Sequence, residues 1–461
     1  NVAITLRWTL QDITTDANMF TPLAKAETVE QGRVANESAT AWGSCYVMAD
    51  TEGTIGYFPY NTPAKRHWAT HLDGDAPPWL PLDGRCETPE RCYEWTESWS
   101  AAELPQVVDP PEGFIATANN DITGALFDGD PTNDGYPPLQ TEPSPAFRHA
   151  RITELIREIG SEHTTETMRR IQGDTHSLIG ELMTPGFIEI AESEMTTLTE
   201  EGEKLLAALK AWQFTCPTGL QGPEQTSPLS SDADELREAS GCAAFHAAVF
   251  VADDNCRPPG LRAPYMYRTP AYRFEPSHAF FRSIVDPSQL LAGDVYWDDP
   301  ATPETETKHQ VIGECFDGAA RYLIDEVGLG EDETRWPWAR VRGYVLRSDL
   351  HQLGIAQYNN PPPGESAFAK DGGYATVNPS SASLDARLGF VVPAGASERL
   401  ICELIPGGPE CTIQLPGGQS SHIDSPNYDD LLSKWLDNEP IDLVFDIEEA
   451  KANAVKTVTF E

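Results

Sequence analysis

The sequence is poor in positive charge. It has 32 Lys and Arg residues against 72 Asp and Glu residues, which gives a formal net charge of −40 at pH 7. A surface with this balance repels a phosphate backbone over most of its area, so the composition argues against nucleic-acid binding. Because the acidic residues are spread along the chain rather than collected in a tail, we interpret them as a solvated, salt-tolerant surface.

Long apolar runs and a targeting segment are also missing. No stretch approaches the length that crosses a bilayer, which predicts a chain without a membrane span. The first residues, NVAITLRWTLQD, have no basic start followed by an apolar core and a cleavage site. With 40% hydrophobic and 9% aromatic residues the chain can still bury a sizeable core, so we expect a folded protein.

The cysteines lack the spacing of a zinc knuckle or of a C-x-x-C redox motif. Among the 9 cysteines, Cys86 with Cys92 and Cys402 with Cys411 are close in loop-like sequence that is rich in Gly, Pro and Glu. We predict a disulfide in each of these pairs. Disulfides need an oxidising compartment, so we expect a mature chain that is periplasmic or secreted.

The other cysteines allow more than one arrangement. Cys216 can pair with Cys242 or with Cys256, while Cys45 and Cys315 lie in apolar sequence and are expected to be buried thiols. An odd number of cysteines leaves at least one unpaired.

Hydrophobic periodicity predicts an α+β fold. Helical spacing dominates residues 145–212 and returns three times before residue 330, whereas the C-terminal part is β-rich. We predict one domain, residues 1–461, with the central helices outside a layered core. The strands of that core are expected at residues 2–8, at a hairpin within 44–58, at 113–118, and after residue 388.

Eight segments, taken in order, carry a family resemblance. They are LRWT, MADTEGTIGYF, DPPEGFIATANN, FRHARITELI, WPWARVRGYVL, DGGYATVN, GASERLICEL and GGQSSHIDSPNYDDLLSKWL. This set resembles the penicillin acylase family of N-terminal nucleophile hydrolases, in the C-terminal part of its β-subunit. The resemblance spans nearly the whole chain and implies a four-layer αββα sandwich.

The resemblance implies a nucleophile that this chain does not carry. In the family, self-cleavage frees a Ser, Thr or Cys that attacks an amide while its own α-amine serves as base. Residue 1 here is Asn, and a carboxamide cannot take that role. We therefore expect companion chains that carry the α-subunit and the nucleophile segment, and no cofactor for catalysis.

The segment DPPEGFIATANN places Asn119 at the position of the family's oxyanion-hole asparagine. An amide N–H aimed at the developing oxyanion suits acyl transfer. The neighbouring Asn120 is expected to point the opposite way. The alternative is an ordinary Asn-Asn turn that ends the strand.

Arg151 matches the family's active-site arginine, which helps to orient the nucleophile and the substrate carboxylate. Arg148 is the competing match, because the sequence before it reads as an insertion. The alternative for either residue is a helix-start arginine paired with Glu154 or Glu158 on a surface face.

A metal site and a catalytic triad have weaker support. Asp128 and Asp130 are candidate ligands for the structural calcium that some family members bind. We favour a solvated acidic loop there, because most partner ligands would come from sequence outside this chain. Ser421, His422 and Asp424 are adjacent in sequence, but a triad requires convergence in space and the family segment is structural.

The sequence thus predicts part of a secreted amidohydrolase that cleaves N-acyl amide bonds in a small substrate. Acylated β-lactams, aryl-acetyl amides and acyl-homoserine lactones all remain open. The alternative is a family descendant without catalytic activity that acts as an extracellular structural or binding protein. Asn1 favours that alternative, as does Arg342, which stands where many members carry His.

Overall fold

A computed structural model describes most of the chain. The described residues are 4–11, 16–41, 43–60, 62–68, 81–86, 88, 92–124, 143–251, 278–286, 288, 297–299, 302–346, 353, 359–361, 364–385, 389–454, 456 and 458–459. Helices and strands are mixed along them, as an α+β fold requires.

The regular elements follow the chain in this order. The α-helices are α1 (Phe20–Leu23), α2 (Val29–Asn36), α3 (Phe147–Ile159), α4 (Thr165–Gln172), α5 (Leu178–Ala191), α6 (Glu200–Ala211), α7 (Ala233–His246), α8 (His278–Val285), α9 (Lys308–Arg321), α10 (Trp338–Val341), α11 (Leu432–Leu436) and α12 (Ile447–Ala452). The strands are β1 (Ser44–Ala49), β2 (Ile55–Tyr60), β3 (Val107–Val108), β4 (Arg342–Tyr344), β5 (Ser380–Asp385), β6 (Gly389–Gly395), β7 (Arg399–Ile405), β8 (Gly408–Gln414) and β9 (Ile441–Leu443). Within the described residues, none of the helices combines the length and the apolar character needed to span a membrane.

The chain divides into two compact units. The first comprises Asn1–His149, Cys402–Glu410 and Val444–Glu461, and the second comprises Ala150–Ile401 and Cys411–Leu443. The single-domain boundary of residues 1–461 stays a prediction.

A three-stranded antiparallel sheet, β1-β2-β3, organises the first unit. The turn from Asp50 to Thr54 joins β1 to β2, which confirms the predicted hairpin. Helix α2 begins at the Thr28 cap, whose side chain accepts a hydrogen bond from Gln31 N, and packs on the sheet. Phe58 of β2 is fully buried in the resulting cluster of apolar side chains.

Two predicted strands of the first unit are wrong. Residues 4–8 are irregular and lead into a 3-10 helix, Thr9–Gln11, while β3 stops at Val108 and residues 113–118 are irregular. The backbone turns at Asp109, with a φ of 45°, and a hydrogen bond from Gly113 N to Pro110 O closes the turn at 2.9 Å. Prolines lack the N–H that a ladder needs, so pairing cannot continue.

Helices form most of the second unit, as their sequence spacing predicts. Their starts are fixed by side chains that accept backbone N–H groups, which is worth about 1 kcal/mol per helix. These caps are Thr164 for α4, Ser177 for α5, Thr199 for α6, Asp232 for α7 and Thr307 for α9. Phe187 of α5 is fully buried against Phe280 of α8 and Phe316 of α9.

The C-terminal part is β-rich, which confirms that prediction. In the sheet β4-β6-β5, β4 runs parallel to β6 and β5 runs antiparallel to it. A second sheet, β7-β8-β9, pairs β8 with β9 in antiparallel fashion. Strand β4 was not predicted, because its 3 residues are too few to show alternation.

Two disulfides confirm predicted pairs. Cys86 is bonded to Cys92, and Cys216 is bonded to Cys242. The second bond decides between the two partners that the sequence left open for Cys216. It ties the segment after α6 to α7 across 26 residues.

The remaining cysteines bring two corrections. Cys402 and Cys411 are each disulfide-bonded, as their predicted pairing requires. Cys315 was expected to be a thiol, but it is disulfide-bonded as well. Cys45 is a free thiol, as expected, but it is exposed rather than buried. It lies on the face of edge strand β1 opposite to the face that packs on α2, where alternation places every second residue.

Three cationic side chains are buried together in the second unit. Arg342, Lys370 and Arg399 are 3%, 4% and 4% exposed. Arg342 donates hydrogen bonds to the carbonyl oxygens of Lys370, Ser380 and Gly372. Backbone and amide oxygens therefore supply much of the compensation that buried charge requires, beside the carboxylate of Asp371, which raises the pKa of Arg342 and of Lys370 against the larger effect of burial.

The carboxamide of Asn378 joins two of these cations. Its Oδ1 accepts from Lys370 Nζ and from Arg399 Nη2, each at 2.7 Å. Its backbone N donates to Asp174 O at 2.8 Å, and its backbone O accepts from Thr376 Oγ1 at 2.7 Å. Burial lowers the pKa of Lys370 well below its ordinary value, and the nearby Arg342 and Arg399 lower it further.

Replacing Asn378 with Leu is expected to lower the free energy of unfolding by about 3–5 kcal/mol, because two buried cations each lose an acceptor. Urea denaturation monitored by Trp fluorescence measures the loss. Asn427→Leu, at an exposed asparagine of the same unit, is the matched control and is expected to be nearly neutral. A loss below about 1 kcal/mol for Asn378→Leu would contradict the role given to this side chain.

The stability of the second unit is expected to fall in acid because of His246. Its Nδ1 contacts Cys242 O at 2.8 Å and its Nε2 accepts from Tyr374 N at 3.0 Å, so the ring is neutral. Desolvation by burial lowers the pKa of His246 from 6.5 to about 3. Below pH 6.5 the unfolded chain binds a proton at His246, whereas the folded chain does not bind it until the pH nears 3. The free energy of unfolding therefore decreases as the pH falls from 6.5 toward 3, by up to about 5 kcal/mol.

Unfolding of wild type and of His246→Gln from pH 7.5 down to pH 3.5 checks this prediction. The glutamine oxygen can still accept from Tyr374 N but does not titrate. The variant is expected to show a pH slope smaller by about one proton within this window. Equal slopes in the two proteins would exclude His246 as the cause.

Candidate active site

A short loop after β3 presents Asn119. Ala118 and Asn120 on either side are 6% and 8% exposed, whereas Asn119 is exposed. The backbone of Asn119 has a φ of 62°, a left-handed conformation that Asn tolerates better than most residues. This single left-handed residue turns its side chain away from the buried neighbours.

The turn itself is stabilised by Asn120 and the residue after it. Asn120 Oδ1 accepts from Ala118 N at 3.0 Å, and its Nδ2 donates to Asp121 O at 3.4 Å. Asp121 Oδ1 then accepts from the backbone N of Thr123 and of Gly124. The turn chemistry that the sequence allowed for Asn119 therefore belongs to its neighbours.

Arg148, at the start of α3, holds the carboxamide of Asn119. Its Nη2 donates to Asn119 Oδ1 and to Ala118 O, both at 2.8 Å. A guanidinium is only a donor, which fixes the carboxamide oxygen toward Arg148 and the amino group away from it. Asn119 Nδ2 makes no hydrogen bond with the described residues, so its two hydrogens remain available.

Arg151, one turn further along α3, has different partners. Its Nε and Nη2 bind the two oxygens of Asp174 at 3.2 and 3.1 Å, and its Nη1 binds Glu154 at 2.9 Å. Desolvation lowers the pKa of Arg151, but these carboxylates outweigh it and raise the pKa above the ordinary value. The pairing with Glu154 is the one that the sequence offered as an alternative, whereas Asp174 gave no signal because it is distant in sequence.

Two groups of residues are candidates for a metal site. Asp128 and Asp130 lie outside the described residues, so their role as calcium ligands stays a prediction. The side chains of Cys216, Cys242 and His246 cluster closely enough to hold a metal ion. The two sulfurs are bonded to each other and the imidazole is fully hydrogen-bonded, so this cluster is not a metal site.

His422 makes a local contact rather than a catalytic one. Its Nδ1 accepts from the backbone N of Asp424 at 3.3 Å in an exposed turn. A triad needs the carboxylate on the imidazole, not the backbone of the same residue. The structural role of this segment stays a prediction.

Comparison with known proteins decides the family. The sequence model of the penicillin amidase family matches residues 1–452. The chain belongs to the penicillin amidase family. This confirms the resemblance seen in the eight sequence segments.

Two curated proteins are similar to most of the chain. The chain is 24% identical over 442 residues to the acyl-homoserine lactone acylase QuiP of Pseudomonas aeruginosa, and 23% identical over 430 residues to that of Pseudomonas putida. These alignments cover 92% and 90% of the chain but 47% and 46% of the relatives. The chain therefore spans about half the length of the curated relatives it matches.

The fold is similar to that of a solved penicillin G acylase. The thermostable penicillin G acylase of Alcaligenes faecalis superposes with a TM-score of 0.60 at 15% identity. The match covers 97% of this chain and 72% of that one. Together with the helices and strands described above, this confirms the predicted α+β fold of an N-terminal nucleophile hydrolase.

The two adjacent asparagines are expected to respond oppositely to substitution. Asn120→Ala leaves the buried Ala118 N–H without its acceptor and is expected to cost about 1–3 kcal/mol of stability. Asn119→Gly suits the left-handed backbone and is expected to change stability by less than about 0.5 kcal/mol. Chemical denaturation measures both, and the reverse order would place the turn chemistry on Asn119.

Proposed function

We propose that the chain is part of a secreted or periplasmic amidohydrolase that cleaves N-acyl amide bonds. Membership of the penicillin amidase family supports amide hydrolysis, and the relatives named as acyl-homoserine lactone acylases support an acylated amide as substrate. Asn119 is the observation that carries the proposal. It offers an exposed, oriented carboxamide in the segment that resembles the family's oxyanion site.

The nucleophile comes from a companion segment in this proposal. Its N-terminal Ser, Thr or Cys attacks the acyl carbon, with its α-amine as base, and negative charge collects on the carbonyl oxygen. Asn119 Nδ2 donates a hydrogen bond to that oxygen. One such donor stabilises the transition state by roughly 3 kcal/mol when water is excluded.

Arg151 has a positioning role in the proposal. It orients the nucleophile or the carboxylate of a substrate, which requires a guanidinium held in one place. The paired bonds to Asp174 supply that restraint, since two parallel N–H···O contacts fix the plane of the group. Within the described part of the chain, the other donor hydrogens of Arg151 have no acceptor, and in this proposal they bind an anionic partner.

Assays of amide hydrolysis with three classes of substrate would test the proposal. Acyl-homoserine lactones come first because the curated relatives carry that name, followed by aryl-acetyl amides and acylated β-lactams. Mass spectrometry of the native preparation identifies a co-purifying chain that begins with Ser, Thr or Cys. A lone chain without turnover of any class would favour the non-enzymatic descendant.

Asn119→Gly is expected to lower kcat by about 100-fold or more with little change in stability, because one oxyanion donor is lost while the backbone keeps its conformation. Amine release from the best substrate, measured on the native enzyme, gives the rate. Asn427→Gly is the control and is expected to retain wild-type turnover, since it alters an exposed asparagine in the other unit. Wild-type turnover in Asn119→Gly would rule out the oxyanion role.

A further inference from the structure

The contact between Arg148 and Asn119 has a geometry that suits more than packing. One nitrogen, Nη2, donates to both Ala118 O and Asn119 Oδ1 at 2.8 Å. An Nη nitrogen carries two hydrogens, and both are thereby committed to the loop. The bond to Ala118 O therefore fixes the guanidinium on the loop backbone, and the bond to Asn119 Oδ1 then fixes the carboxamide on the guanidinium.

We propose that Arg148 is a positioning residue that sets the orientation of the oxyanion donor Asn119. This inference rests on the proposed function, because it concerns the same reaction. Arg148 does not contact the substrate in this account. It acts by holding Oδ1, which leaves Nδ2 as the group that faces the acyl oxygen.

An exposed carboxamide needs such a restraint. Rotation of about 180° around its last side-chain bond exchanges Oδ1 and Nδ2, and the torsion is broad and roughly two-fold. In the wrong orientation the carboxamide oxygen would repel the oxyanion instead of stabilising it. Because an arginine accepts no hydrogen bond, it stabilises one of the two orientations and disfavours the other.

The charge of Arg148 adds a second effect. A cation bound to Oδ1 draws electron density from the amide, and hydrogen bonds in such a chain strengthen one another. The N–H groups of Asn119 then become better donors as charge develops on the substrate.

Arg151 cannot supply this restraint in the same way. Its hydrogen bonds within the described residues go to Asp174 and Glu154, and none of them reaches Asn119. The two arginines of α3 thus have separate tasks. Arg148 orients the donor, and Arg151 remains the candidate for the nucleophile or the substrate carboxylate.

The first experiment observes the carboxamide directly, without an assay of activity. The side-chain NH2 resonances of the native protein are recorded with asparagine-selective 15N labelling, and the Asn119 pair is assigned by its loss in Asn119→Gly. Arg148→Met is expected to shift this pair, whereas Arg157→Met, at an exposed position of the same helix, is expected to leave it unchanged. An unmoved pair in Arg148→Met would overturn the proposal.

The second experiment is a double-mutant cycle on the native enzyme. Arg148→Met is expected to lower kcat roughly 10- to 100-fold, the size of one charge-assisted hydrogen bond, with KM little changed. In an Asn119→Gly background the same change is expected to have less than about a 2-fold effect, because the group it orients is gone. Arg148→Lys, which keeps a donor and a charge, is expected to retain more activity than Arg148→Met. It serves as the control for a loss of activity that is caused by misfolding.

The outcomes separate this inference from the proposed function. Equal losses from Arg148→Met in both backgrounds would overturn the positioning role while leaving Asn119 as the oxyanion donor. If Asn119→Gly loses no activity, the proposed function fails and the inference fails with it, whatever the NMR shows. A loss in Arg148→Met that raises KM instead of lowering kcat would indicate substrate binding, and would also overturn it.

Discussion

Burial of three cations, compensated largely by backbone and amide oxygens beside the carboxylate of Asp371, is the constraint on which the second unit depends. Lys370 and Arg399 meet at one amide oxygen, that of Asn378, and both lie over the ring of Trp435 at 5.3 and 5.2 Å. Several partners therefore share the compensation of these two buried cations. The chain segments that carry them are thereby held in one arrangement.

The same network reaches a residue of the proposed mechanism. Asp174 accepts the backbone N–H of Asn378, and its carboxylate binds Arg151. The segment between α4 and α5 thus connects the buried cations to an arginine near the start of α3. A side chain needed in one orientation is stabilised by a core that cannot rearrange without exposing charge.

In the loop after β3, the residues that stabilise the turn are neighbours of the proposed oxyanion donor. Asn120 and Asp121 satisfy the backbone N–H groups of the turn, and the side chain of Asn119 is exposed. The cost of a left-handed residue is small for Asn. Arg148 then gives the exposed carboxamide a defined direction.

Local sequence determined much of the secondary structure of this protein and identified its fold. The hairpin, the capped helices and the disulfide between Cys86 and Cys92 follow from interactions within a few residues, and the eight family segments identify the fold, because these signals do not depend on distant parts of the chain. Tertiary structure decided the rest. Asp174 as the partner of Arg151, Asn378 as the acceptor for Arg399, and Arg148 as the contact of Asn119 each join residues more than 20 positions apart. Sequence spacing does not indicate which long-range pair satisfies a polar group.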